Sequence, residues 1–309
     1  MRLIRTKPPL ELQEFTENEL PKYAILSHRW EREEVTFQEV IRSHETIKSK
    51  AGYKKIGRFC ARAHQDGLEY AWIDTCCINK ESSAELSEAI NSMFRWYEQV
   101  EKCYAYLCDA ELATVHHSSW FQRGWTLQEL LAPCEVYFLA SDWSDLGTRT
   151  MLCSLINEIT GSIIAKRMSW ASARQTTRIE DIAYCLMGIF GVNMPLLYGE
   201  GEKAFIRLQE GIMRDSDDQT LFAWENEDIS KEHPSGLLAR SPADFRSCSD
   251  IVPFFFSNNG TPFALTNRGI RMHLPLIRVE QGSEATTMLI LECHSPELLR
   301  RSRSSHRLA

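Results

Sequence analysis

Four side chains of complementary chemistry run together at Ser27-His28-Arg29-Trp30: a hydroxyl, an imidazole, a guanidinium and an indole. Arg29 has the planar fork that takes a phosphate through two hydrogen bonds. It suits equally an ion pair with Asp74, Glu33 or Glu34 that holds the loop shut. Asp74 closes the run Tyr70-Ala-Trp-Ile-Asp74 and can hold a ribose hydroxyl, or cap its loop and pair with Arg29 or Arg123. Further on, Trp125 and Glu129 stand four apart, which puts both on one face of a helix. A carboxylate beside a glycosidic bond stabilises an oxocarbenium-like transition state electrostatically. The rings of Trp125 or Trp30 can stack on a planar base. Read alone, Glu129 is equally a solvated helix carboxylate, or a partner for Arg123 or Arg149.

Other chemistries are less well supplied. Cys76-Cys77 with His28 as base would make a cysteine hydrolase, but the pair sits in an apolar string with nothing to depress a thiol pKa. No Cys-x-x-Cys pair exists, and Cys60-x3-His64 followed by Cys76-Cys77 fits no zinc spacing. Neither metal nor cofactor is called for. Tyr198-Gly-Glu-Gly201 before a helix resembles a phosphate cradle. Its Glu200 and Glu202 would repel phosphate, so Gly199 and Gly201 read as turn formers.

The elements that must position these residues follow from periodicity. Short apolar runs at 23–27, 70–74, 103–108 and 135–140 read as strands. Helical spacing marks 53–66, 83–97 and 120–131 between them. Alternating strand and helix predicts an α/β fold, a parallel sheet with helices on both faces, over about 20–145. In such sheets ligands sit at the carboxyl ends of the strands, where Ser27 to Trp30 and Asp74 to Asn79 fall. Helices are expected at 149–159, 178–190 and 201–214. From about 236 the runs 253–257, 269–274 and 287–292 read as strands, with Asn258-Asn-Gly260 as a turn. The Ser/Arg-rich tail 296–309 is expected to be disordered.

Composition narrows the classes. Against 42 Asp+Glu stand 35 Lys+Arg, a net charge of −7, which argues against nucleic acid as a partner. No stretch approaches the roughly 18 apolar residues of a spanning helix, and no apolar core of signal-peptide length opens the chain. The 10 cysteines, several of them inside apolar runs, are expected to be reduced thiols in the cytoplasm.

Several longer strings occur together. They are Pro21-Lys-Tyr-Ala-Ile-Leu-Ser-His-Arg-Trp30, Glu33-Glu-Val-Thr-Phe37, Trp72-Ile-Asp-Thr-Cys-Cys-Ile-Asn-Lys80, Arg123-Gly-Trp-Thr-Leu-Gln-Glu-Leu-Leu-Ala-Pro133 and Tyr198-Gly-Glu-Gly-Glu-Lys-Ala-Phe205. In this order they resemble the fungal heterokaryon incompatibility (HET) family, over residues 1–225. The resemblance implies a HET domain at 1–225, with a core at about 20–145 and a helical extension at about 146–225. A β-rich region at 226–295 would follow. It also implies a role in non-self recognition between fused hyphae and in the cell death that follows, alongside other incompatibility proteins. Larger members join the domain to nucleotide-binding modules; no Gly-x4-Gly-Lys-Ser/Thr phosphate loop is present here.

The core in turn resembles a TIR domain, a flavodoxin-like sheet. Leu26-Ser-His-Arg29 is similar to the string that ends the first TIR strand, and Gly67-Leu-Glu-Tyr-Ala-Trp-Ile-Asp74 to the second. Arg123-Gly-Trp-Thr-Leu-Gln-Glu-Leu130 is similar to the Ser-x-Trp-Cys-x-x-Glu-Leu helix, with Thr126 replacing the Cys. In NAD-cleaving TIR domains that Glu is catalytic, which implies the role for Glu129, with NAD(P) as substrate and Ser27, His28, Arg29, Trp30, Asp74 and Trp125 around it. The activity implied is that of an NAD(P)+ nucleosidase. The alternative is a signalling module without enzymatic activity, acting by self-association through the TIR-like domain.

Overall fold

Apolar runs of three to six residues between polar breakers can bury both faces only as inner strands of a covered sheet. The computed structural model describes residues 1–42, 47–152, 163–225, 236–253, 264–274, 276–281, 284–289, 291 and 293–296. The chain divides into two compact units, Met1–Ile159 and Thr160–Ala309.

The first unit holds a seven-stranded sheet. Its strands are β1 (Arg2–Arg5), β2 (Leu12–Glu14), β3 (Tyr23–His28), β4 (Tyr70–Trp72), β5 (Lys102–Tyr106), β6 (Val136–Leu139) and β7 (Asp145–Thr148). The spatial order is β2-β1-β4-β3-β5-β6-β7. The inner strands β4, β3, β5 and β6 are mutually parallel, as expected for the alternating pattern. Both edges are antiparallel additions that periodicity did not reveal. The order in which the parallel strands are added reverses between β3 and β5, with β4 on one side and β5 and β6 on the other, the switch point at which open α/β sheets bind ligands.

Side-chain rows show how both faces are covered. Leu26, Tyr104 and Tyr137 are in register on one face, where Phe59 of helix Ala51–Gln65 meets Tyr104 edge-on at 5.9 Å. Ser27, Ala105 and Phe138, one residue further along each strand, share the opposite face. There Trp120 meets Phe138 at 5.8 Å. Trp72, in the row two residues back, packs against Trp96 and Tyr97 of helix Ser83–Glu98. All six residues of β3 are buried.

Two elements of the first unit differ from expectation. Residues 120–131 are not one helix: a 3-10 turn, Ser119–Gln122, is followed by extended Arg123 and then by helix Thr126–Leu131. The Thr126 hydroxyl lies 2.6 Å from the carbonyl of Trp120 and 2.9 Å from that of Arg123. This side chain closes the turn and competes with helical backbone pairing. Asp74 likewise does not end a strand but opens the short helix Asp74–Cys77.

The second unit contains helices Ile164–Ala171, Asp181–Tyr184, Met187–Phe190 and Lys203–Asp215. The expected helix at 178–190 is two short ones, because bonding tightens at Leu186, whose N–H reaches Ala183 at 3.0 Å. Three two-stranded antiparallel ladders follow, pairing β9 (Ala264–Thr266) with β10 (Gly269–Arg271), β11 (Leu276–Gln281) with β12 (Glu284–Leu289), and β8 (Val252–Pro253) with β13 (Cys293–His294). The expected helix beyond residue 152, Cys153, the 258–260 turn and the tail beyond 296 lie outside the described residues.

Candidate functional site

The carboxyl end of β3 delivers Ser27 and His28 into the unit, while the chain turns outward at Arg29. Ser27 is 0% exposed, and its hydroxyl donates a hydrogen bond to Oε2 of Glu129. Its oxygen in turn accepts from the indole N–H of Trp120 at 2.8 Å. Trp120 can reach because the 3-10 turn swings its ring under the sheet, while helix Thr126–Leu131 brings Glu129 to the same row. Glu129 is therefore no solvated helix carboxylate: the residue is 8% exposed. Burial drives its carboxyl pKa up, outweighing the hydrogen bond from Ser27, and Asp74 adds to the rise, to about 7. Arg149 is occupied elsewhere, donating to the carbonyls of Leu130 at 2.7 Å and Cys134 at 2.6 Å.

A second group lies one residue along. The side chain of His28 is fully buried, and neither ring nitrogen has a hydrogen-bond partner. Nε2 stands 3.7 Å from Glu34 and 4.0 Å from Asp74, within electrostatic reach of both. Burial, with Lys55 nearby, lowers the imidazole pKa to about 4, so the ring is neutral. Glu34 is ion-paired to Lys55, and Glu33 accepts from the N–H of Ala51 at 3.0 Å. Gly52 makes this docking possible. Its N–H donates to the Glu33 carbonyl at 3.0 Å, and a Cβ there would lie 2.5 Å from that oxygen.

Trp30, 46% exposed, donates through its indole N–H to Asp74 at 2.8 Å. Lys80 lies 3.5 Å above the Trp30 ring and 3.5 Å from Asp74. Burial would raise the Asp74 pKa, but Lys80, His28 and the Trp30 hydrogen bond outweigh it and hold the carboxylate below its ordinary value. The acids considered as partners for Arg29 are thus engaged elsewhere. Arg29 is exposed and makes no hydrogen bond or ion pair with the described residues. Arg123 donates instead to the carbonyl of His28 at 3.4 Å. Trp125 has helical dihedrals at the entry to Thr126–Leu131, so its spacing to Glu129 holds, and its ring packs half-buried against the core.

The structure therefore joins Ser27 to Glu129 directly, and His28, Trp30 and Asp74 in an adjoining cluster; Arg29 and Trp125 stand beside them without a polar contact to either. Sequence reasoning missed Trp120, Tyr97, Lys80 and Lys55. Tyr97 flanks Glu129 and carries a phenol pKa raised by burial and then by the Glu129 charge. Helical periodicity placed Tyr97 on an inward face but could not say what it faces.

The rival chemistries find no support. Cys76 and Cys77 are buried, and burial raises the Cys77 thiol pKa well above its ordinary value, the reverse of an activated nucleophile. In the second unit the glycines of Tyr198-Gly-Glu-Gly201 do make a cradle, with φ of +104° at Gly199 and +61° at Gly201. The chain fills it itself: Glu180 accepts from both N–H groups, at 2.8 and 3.1 Å. Among the described residues no group of three or more His, Cys, Asp or Glu could hold a metal ion, no helix is long and apolar enough to cross a membrane, and no cysteine is in a disulfide.

Comparison with known proteins adds the family context. Residues 23–116 match the family described as heterokaryon incompatibility protein (HET). Residues 203–297 match a domain of unknown function, DUF8212. Over 247 residues, 70% of this chain, the sequence is 42% identical to vegetative incompatibility protein HET-E-1 of Podospora anserina. The alignment spans 18% of that protein. No solved structure matches the chain. Ser27, His28, Arg29, Trp30 and Asp74 fall inside the 23–116 match, and Glu129 beyond it.

Proposed function

This chain is a HET-domain protein, and from that premise we propose that it acts in fungal vegetative incompatibility by hydrolysing NAD(P) at a TIR-like site centred on Glu129. The similarity to HET-E-1 supports the incompatibility role. The order of the parallel strands, β4-β3-β5-β6, is the flavodoxin-like one and supports the TIR-like reading. The observation that carries the chemistry is the buried carboxyl of Glu129 beside the switch point, with a pKa near 7.

In this reading the bond between the nicotinamide nitrogen and ribose C1′ breaks, and the nitrogen keeps the electron pair. The ionised form of Glu129 stabilises the positive charge developing on the ribose. Water adds to C1′ and passes a proton to Glu129, a base matched to neutral pH. Arg29, exposed and without a partner among the described residues, takes a phosphate oxygen. Trp30, steadied by Lys80 and Asp74, offers a ring for stacking. The cell death that would follow is loss of the dinucleotide pool. The test is incubation of the purified chain with NAD or NADP and detection of free nicotinamide; no release under any condition would sink the reading.

One observation favours a second reading. Glu129 is 8% exposed and already hydrogen-bonded, as a purely structural acid would be. The domain would then signal by self-association, without turnover.

A further inference from the structure

A serine hydroxyl has one proton to give and lone pairs with which to receive. At Ser27 the direction of both is settled by its neighbours. The Trp120 indole nitrogen carries a proton and no acceptor, so it can only donate, and it points at Ser27 Oγ from 2.8 Å. The remaining contact of that oxygen is Glu129 Oε2. The Ser27 proton therefore lies toward the carboxyl. All three residues are buried, with Ser27 0%, Trp120 1% and Glu129 8% exposed, so water does not scramble the arrangement.

We propose that Trp120 and Ser27 are positioning residues, a one-way hydrogen-bond relay that orients Glu129 and favours its ionised form. Neither touches the reacting atoms. The relay ties three elements together: the 3-10 turn Ser119–Gln122, strand β3 and helix Thr126–Leu131. Burial pushes the carboxyl toward its neutral form and the Ser27 end of the relay pushes back; Asp74 adds to the first, and Arg123 and the Tyr97 hydroxyl to the second. Thr126 has a part in it, since its hydroxyl closes the turn that aims Trp120 at the sheet. The importance of the relay for turnover rests on the catalytic reading of Glu129, but its effect on that carboxyl does not.

The experiment is a carboxyl-carbon NMR titration of the full chain labelled in glutamate, with Glu129→Gln identifying the Glu129 signal. In the parent, Glu129 should titrate near neutral pH. Ser27→Ala should move the titration upward by about one to two pH units, the equivalent of one lost hydrogen bond to a charged group. Trp120→Phe keeps a six-membered aromatic ring but loses the pyrrole part of the indole, and with it the N–H. It should give a smaller shift in the same direction, and Ser27→Thr should restore the parent value. The same titration point in parent and Ser27→Ala would overturn the relay. If Ser27→Ala fails to fold, an unshifted Trp120→Phe would do so. Nicotinamide release is followed in the same samples. Its absence everywhere, with the titration shifts present, would overturn the catalytic reading and leave the relay standing.

Discussion

The hydroxyl of Ser27 donates to the carboxylate of Glu129 across 102 positions of sequence. A strand end and a short helix meet there on one face of the sheet, and the burial that comes with it raises the Glu129 carboxyl pKa to about 7, against the pull of the Ser27 hydrogen bond. Several consequences can be measured.

Glu129→Gln should abolish nicotinamide release while leaving the fold intact, because the amide oxygen can still accept from Ser27. Loss at a residue that acts on developing charge appears in kcat, with KM little changed. Circular dichroism and the thermal midpoint should match the parent. Full release by the folded variant would remove Glu129 from the reaction.

The same residue should shape stability against pH. Its folded pKa, about 7, lies above the ordinary value of 4.5. A raised carboxyl contributes stability that is fully present below the unfolded pKa and is lost as pH rises through the folded one. Between about pH 4.5 and 7 that loss amounts to ~3 kcal/mol. Relative to the parent, denaturant midpoints of Glu129→Gln should rise with pH across this window.

His28 should act in the opposite sense. Its folded pKa of about 4 lies below the ordinary 6.5, so it contributes stability present above 6.5 and lost as pH falls toward 4, again ~3 kcal/mol. The two titrations offset each other in the parent. His28→Phe should therefore uncover the Glu129 dependence, with stability falling as pH rises from about 4.5 to 7 more steeply than in the parent. Since neither ring nitrogen is hydrogen-bonded, losing them should sacrifice no bond. A pH profile parallel to the parent's would show that His28 does not titrate in this window.

Gly52→Ala should destabilise the first unit by about 1–3 kcal/mol, the usual effect of overpacking. The added Cβ would stand 2.5 Å from the Glu33 carbonyl and 2.9 Å from Glu34 Cα, both backbone atoms that cannot rotate away. Differential scanning calorimetry against the parent reads the effect. Gly57→Ala, in the same helix, meets nothing within 4 Å; it is the control and should be neutral or stabilising by up to about 1 kcal/mol, the gain in helix propensity.

The sequence alone determined the parallel strands, since Tyr23-Ala-Ile-Leu and Cys103-Tyr-Ala-Tyr are too short and too apolar to be anything but covered strands. It did not disclose β1, β2 or β7: Arg-Leu-Ile-Arg, Leu-Gln-Glu and Asp-Leu-Gly-Thr carry too little pattern, and only pairing to a neighbour makes them strands. The chemical types at Ser27 to Trp30 and at Glu129 were legible. Their partners were not, because 42 acids offer many equivalent pairings and side-chain contact depends on three-dimensional register. That is why Arg29 stands exposed while Trp30 holds Asp74, and why Trp120 reaches Ser27. The Glu129 pKa was decided entirely by tertiary structure, because desolvation depends on what surrounds a group and not on its place in the chain.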